Sequence, residues 1–170
     1  MATSLPATLI HKEEESMSKY VIQSKRGAPP LGAYSQGWRA GDFIFVTGSG
    51  PVDPATGKIV GETIEQQTDL TITNLAAILE ADSATLADVV KVSVHLKDPS
   101  LFPRYNEVYA RRFARPYPVR TTVGSDLSAA PGMLIEIDCI AYKPQSRRAS
   151  APQPQKAAPR PRSRGRKPGK

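Results

Sequence analysis

The spacing of hydrophobic residues changes along the chain, and each change predicts an element. Trp38, Phe43, Ile44, Phe45 and Val46 surround Gly41-Asp42. A turn pair flanked by aromatic and β-branched residues predicts a hairpin over 36–46. Asp53-Pro54-Ala55-Thr56-Gly57 predicts a second turn leading into Ile59-Val60. From Thr63 to Glu80 the period becomes helical: Ile64, Thr68, Ile72, Leu75, Ala76 and Leu79 share a face, and Glu65, Gln66, Gln67, Asp69 and Asn74 point elsewhere. Val90, Val92, Val94 and Leu96 then alternate with Lys91, Ser93, His95 and Lys97, as in a strand with one buried and one polar face. After Asp98-Pro99-Ser100 the helical period returns in Phe102, Tyr105, Tyr109 and Phe113, with Pro103 tolerated because it lies in the first turn. Strands over 119–124 and 133–142 close the pattern.

This order predicts an α+β fold, a mostly antiparallel or mixed sheet with two helices covering one face. The other face is left bare, and a small domain buries such a face against copies of itself, so an oligomer is expected. Packed structure is expected over 18–143. Residues 1–17 show no sustained period, and Met17 reads as a second start, so they form a flexible leader. Residues 144–170 form a disordered tail rich in Pro, Ala and Arg.

Charge separates the tail from the domain. The chain has 170 residues and a formal net charge of +7. Met1 to Tyr142 holds 13 basic and 16 acidic residues, a balance of −3; Lys143 to Lys170 holds 10 basic residues and no acidic ones. The tail is either a solubilising extension or a weak, salt-sensitive contact for nucleic acid or another polyanion, and it has no aromatic side chain to stack on bases. No apolar run approaches the length of a membrane span, and the N-terminus lacks the apolar core of a secretory signal, so the expected location is cytoplasmic. One cysteine, Cys139, and two histidines offer neither a disulfide nor a zinc spacing.

Most catalytic signatures are missing. Gly48, Gly50 and Gly57 do not form a phosphate-cradling loop. His95 sits on a polar strand face beside lysines and reads as a solvated surface residue. Cys139 alternates with Ile135 and Ile137 onto the core face and reads as a buried, inert thiol. What remains is a pattern on the last two strands: Arg120 and Thr122 share one face of theirs, while Glu136 and Asp138 share the face opposite Ile135, Ile137 and Cys139. Two readings stay open. Glu136 pairs with Arg120 or another cation as a structural ion pair at a subunit contact, or the guanidinium grips an anionic ligand while the carboxylate holds a water.

Several blocks, in order, resemble one known family. They are Gly32-Ala33-Tyr34-Ser35-Gln36, Phe45-Val46-Thr47-Gly48, Pro51-Val52-Asp53-Pro54-Ala55-Thr56-Gly57, Asp88-Val89-Val90-Lys91-Val92, Tyr105-Asn106-Glu107-Val108-Tyr109, Pro118-Val119-Arg120-Thr121-Thr122-Val123 and Ile135-Glu136-Ile137-Asp138-Cys139-Ile140-Ala141. The chain resembles the reactive intermediate deaminase (Rid, YjgF-like) family, also called endoribonuclease L-PSP-like, over residues 19 to 143. The resemblance implies a chorismate-mutase-like fold assembled as a homotrimer with intersubunit clefts and no cofactor. It implies a 2-iminobutanoate/2-iminopropanoate deaminase-like hydrolase that converts 2-imino and 2-enamino acids to 2-keto acids and ammonia. Arg120 then stands where the family binds the substrate carboxylate and Glu136 where it positions the attacking water. Tyr34, Thr47 and Asn106 fall on pocket-lining positions, and Thr122 stands where the archetype has a cysteine. The alternatives are a non-catalytic small-carboxylate binder and an RNA-interacting protein. Because the domain is acidic, any RNA affinity is expected in 143–170.

Overall fold

In the computed structural model, which describes residues 19–145, the hairpin around Gly41-Asp42 forms. Strands β2 (Gly37–Ala40) and β3 (Phe43–Ser49) pair antiparallel, with Trp38 opposite Phe45, and Gly41 takes a φ of 58° in the tight connection. The leader assigned to 1–17, and the tail beyond its first two residues, lie outside the described residues. Around the hairpin stand β1 (Lys19–Ile22), β4 (Val89–Leu96), β5 (Val119–Gly124) and β6 (Ile135–Tyr142), with helices α1 (Ile64–Glu80) and α2 (Phe102–Arg112). The strands make one six-stranded sheet in the order β1-β2-β3-β6-β4-β5. Only β4 and β5, joined through α2, are parallel, so the sheet is mixed.

Both helices cover the same face. Helix α1 starts where Thr63 and Gln66 exchange side-chain and backbone hydrogen bonds in a capping box. Its Ile72, Leu75 and Leu79 join Val92 and Val94 of β4 and Ile135 and Ile137 of β6 in the core, each at most 1% exposed. Each such side chain contributes roughly 1.5–3 kcal/mol of burial. The far face carries Val21, Trp38, Phe45, Ile140, Phe43 and Tyr142 at one end, a cluster supported by the pairs Val21↔Trp38, Phe45↔Ile140 and Phe43↔Tyr142. No element of the described chain covers it. Among the described residues no helix is long and apolar enough to cross a membrane.

Three local expectations need correction. Gln67 and Asn74, expected to point away from the core, are each 1% exposed. Gln67 Nε2 donates to the carbonyls of Gly61 and Gly132, its Oε1 accepts from the Leu134 amide, and Asn74 Nδ2 donates to the carbonyls of Gly50 and Val52. Loops crossing the helix need buried polar partners, and these amides supply them. Ala76 is only half-buried, and Ala77 and Ile78 fill the core instead. On β4 a register shift between Val89 and Lys91 turns Val90 outward and puts Val89 inside, because the extra residue of a bulge reverses the alternation before it. Ile59 makes only an isolated bridge with Val52.

Candidate functional site

Arg120 and Thr122 stand on the helix-facing side of β5, an edge strand, directly beside α2. The Arg120 guanidinium carbon lies 4.4 Å from the centroid of the Tyr109 ring, 5.4 Å from that of Tyr105 and 5.6 Å from that of Phe102. The helical spacing of these three residues delivers all of them to one strip of α2. An aromatic face attracts a cation and lies parallel to a planar guanidinium, so the strip fixes where Arg120 rests. Arg120 Nη2 donates to Asn106 Oδ1 at 2.9 Å. Among the described residues no carboxylate stands within 4 Å of the guanidinium. Its Nε and Nη1, and Asn106 Nδ2, have no acceptor there. A permanent cation with unused donors beside an unused amide N–H has the chemistry to pair with a carboxylate.

Thr122 Oγ1 lies 2.6 Å from Tyr105 Oη. Burial pushes the Tyr105 phenol up from its ordinary value. It pushes that of Tyr109 up to about 12, against the opposing pull of the Arg120 charge. Tyr109 Oη is buried and has no hydrogen-bond partner among the described residues.

Glu136 lies elsewhere. Its β6 neighbours Ile135 and Ile137 are buried under the helices, so Glu136 projects from the uncovered face, opposite His95 of β4. Within one chain Glu136 and Arg120 do not meet, because the two side chains leave the sheet on opposite sides. Glu136 instead lies across Gly48: a Cβ built there would overlap its carboxylate. Gly48 sits where the β3–β6 register shifts between Val46 and Ser49. It has no positive φ, so the requirement for glycine is one of space. Thr47, the preceding residue, donates its amide to the Gln36 carbonyl at 3.0 Å.

Tyr34 belongs to a third place. It lies in the loop before β2, accepts from the Leu31 amide at 2.9 Å and lines a hollow of about 260 Å³ with Lys25, Pro29 and Pro30. Gln36 pins that loop by accepting from the Ser24 amide and donating to the Ala28 carbonyl. Strands β2 and β5 are separated by four inter-strand spacings, about 19 Å. The chain therefore unites Arg120, Asn106 and Thr122, sets Thr47 beside the Glu136 cradle, and holds Tyr34 apart.

Sequence reading missed several participants. Gly48, weighed in the sequence only for a phosphate-cradling loop, carries another signal, since a glycine inside a strand run marks a bulge or a close approach. Phe102, Tyr105 and Tyr109 mark only the period of a helix in the sequence, yet Phe102 is 42% exposed and all three lie against the guanidinium. His95 is not simply solvated: its Nδ1 is 2.8 Å from Ser125 Oγ, and its Nε2 is 3.9 Å from Asp138 Oδ2. Cys139 is 1% exposed, and burial pushes its thiol up, away from nucleophilic use. Among the described residues no group of His, Cys, Asp or Glu side chains is arranged to hold a metal ion.

The mixed sheet backed by two helices is shared with solved structures of one family. Residues 25–143 match the family model described as Endoribonuclease L-PSP, and the chain belongs to that family, which includes the reactive intermediate deaminases. A RutC family protein of Pyrococcus abyssi is 47% identical over 128 residues, spanning 75% of this chain and 99% of that protein. The chloroplastic Reactive Intermediate Deaminase A of Arabidopsis thaliana is 36% identical over 139 residues, 81% of this chain and 73% of that protein. The crystal structure of a putative endoribonuclease from Thermotoga maritima superposes with a TM-score of 0.69 at 39% identity, covering 74% of this chain and 98% of that one.

Proposed function

We propose that the chain hydrolyses reactive 2-imino and 2-enamino acids to 2-oxo acids and ammonia, in clefts between copies arranged as a chorismate-mutase-like homotrimer. The observation that carries this reading is the Arg120 guanidinium, which among the described residues has no counter-carboxylate and is flanked by an unused amide donor at a sheet edge. Assembly is argued from the separation of parts. Arg120, Glu136 and Tyr34 occupy different faces or edges of one sheet, so a site using all three needs a neighbouring copy. The uncovered cluster around Trp38 and Phe45 supplies apolar surface for that contact.

In this reading Arg120 takes the substrate carboxylate through paired N–H donors, and Asn106 Nδ2 donates a further hydrogen bond. Tyr34 and Thr47 line the cleft, and Thr122 faces the reacting atoms. Glu136 holds a water and accepts its proton as the oxygen bonds to the C=N carbon. The electron pair of the C=N bond moves onto nitrogen, which takes a proton, giving a tetrahedral amino alcohol. Collapse of that species forms C=O, breaks the C–N bond and releases ammonia, with Glu136 moving the proton. The imine carbon is already electrophilic, so positioning substrate and water accounts for much of the work, and neither a covalent nucleophile nor a cofactor is invoked.

The test is turnover of freshly generated 2-iminopropanoate by wild type and Arg120→Ala, with the assembly state followed by light scattering. Loss of ammonia release in an intact oligomer is expected. Equal turnover would refute the role of Arg120, and carboxylate binding without turnover in the wild type would favour a binding protein.

A further inference from the structure

Resting on the function proposed above, we propose that the hollow beside Tyr34 takes the substrate side chain and that Lys25 selects side chains ending in a second carboxylate. The preferred substrates are then 2-imino and 2-enamino dicarboxylic acids. In the proposed reaction Arg120 holds the C1 carboxylate and Glu136 the water at C2, and neither group touches what lies beyond C2. Tyr34 is the one aromatic side chain assigned to line that cleft, and it borders the hollow of about 260 Å³. A methyl side chain would leave most of that space to water.

The lining gives the hollow a definite chemistry. Val21, Pro29 and Pro30 offer apolar wall for a short methylene stem, and Lys25 is the one charged residue among those that line it. Among the described residues no carboxylate stands within 4 Å of the Lys25 ammonium. The next residue differs, since Arg26 is paired with Glu80 of α1. The backbone that carries Lys25 is held on both sides. Gln36 accepts from the Ser24 amide and donates to the carbonyls of Ser24 and Ala28, and Ser24 Oγ accepts from the amides of Arg26 and Gly27. The cation is thus uncommitted yet anchored at the hollow, and a lysine ammonium has three donors for an anion. Glu136 sharpens the choice. Val21 shares a sheet face with Trp38, Phe45 and Ile140, and Glu136, four residues before Ile140 on β6, belongs to the same face. Part of the wall of the hollow therefore lies on the face that carries Glu136. That carboxylate repels a second one brought close to C2, so a distal carboxylate is accepted only where a cation offsets the repulsion. Two methylenes between C2 and the distal carboxylate suit this better than one.

The experiment is calorimetric titration of the full-length protein, at fixed ionic strength, with 2-oxoglutarate and with 2-oxopentanoate. Both have five carbons, and the second carries a methyl group where the first carries its distal carboxylate. Wild type is expected to bind 2-oxoglutarate about tenfold more tightly, the worth of one charge-assisted hydrogen bond at an accessible site. Lys25→Ala should bring that ratio to one or below while the affinity for 2-oxopentanoate stays within about twofold of wild type. Lys25→Arg should keep the preference and Lys25→Glu should reverse it. Lys25 is exposed, so none of these changes disturbs the core. A lysine that served only solubility would leave the ratio unmoved in all three variants. An unchanged ratio in Lys25→Ala, or a wild type that does not prefer 2-oxoglutarate, overturns the inference and leaves the role of Arg120 standing. Wild-type affinity for both acids in Arg120→Ala would instead remove the carboxylate contact on which the inference rests.

Discussion

Replacing Gly48 by alanine separates positioning of Glu136, the carboxylate proposed to hold the water, from binding of the substrate. The added methyl would occupy the space of the Glu136 carboxyl group. Because that group is the far end of a flexible side chain on an uncovered face, relief requires only that Glu136 swing aside. The change in stability should then be small: the clash, once relieved, is offset by the roughly 0.4–1 kcal/mol that alanine gains over glycine by restricting the unfolded chain. The catalytic effect should be large. A carboxylate displaced by about 1 Å loses roughly 100-fold in rate, or about 2.7 kcal/mol of transition-state stabilisation. In the proposed site Arg120 takes the substrate carboxylate while Glu136 holds only the water, so the affinity for a 2-oxo acid should stay within about twofold of wild type. The assay combines ammonia release from 2-iminopropanoate, calorimetric titration with pyruvate and thermal denaturation. Turnover equal to wild type in a folded Gly48→Ala protein would show that the Glu136 cradle does not matter to the reaction. Loss of pyruvate binding would show that the two groups are not independent.

Two further changes test the scaffold. Gln67→Ala strands two carbonyls and one amide that Gln67 now satisfies, and chemical denaturation should report a loss of about 3 kcal/mol, with a loss below about 1 kcal/mol contradicting the assigned hydrogen bonds. Tyr109→Phe removes a buried hydroxyl that lacks a partner and should stabilise the protein by about 1 kcal/mol at neutral pH. The same variant has a pH signature. The folded-state phenol is raised to about 12 from an ordinary 10, so its contribution to stability is complete below pH 10 and is lost as pH climbs from 10 to 12. The advantage of Tyr109→Phe over wild type should therefore widen across that window, and a constant gap would contradict the burial of the phenol.

The sequence by itself determined the elements and the residue types. Alternation in 90–96 and 135–142, the helical period in 64–79 and 102–113, and Gly41-Asp42 between apolar runs each reflect a backbone geometry that places neighbours in the chain on one face, so local spacing is enough to find them. It also singled out Arg120 and Glu136, because charged residues at defined positions on strands with apolar neighbours are rare. Tertiary structure decided everything that depends on residues distant in sequence. Whether Gln67 and Asn74 faced water or buried carbonyls depended on which loops crossed α1. The reversal of Val90 depended on a bulge against β6. That Arg120 rests on Phe102, Tyr105 and Tyr109 follows from the β4–α2–β5 connection laying an aromatic strip beside an edge strand. That it cannot meet Glu136 within one chain follows from the pleat, which sends their side chains to opposite sides of the same sheet.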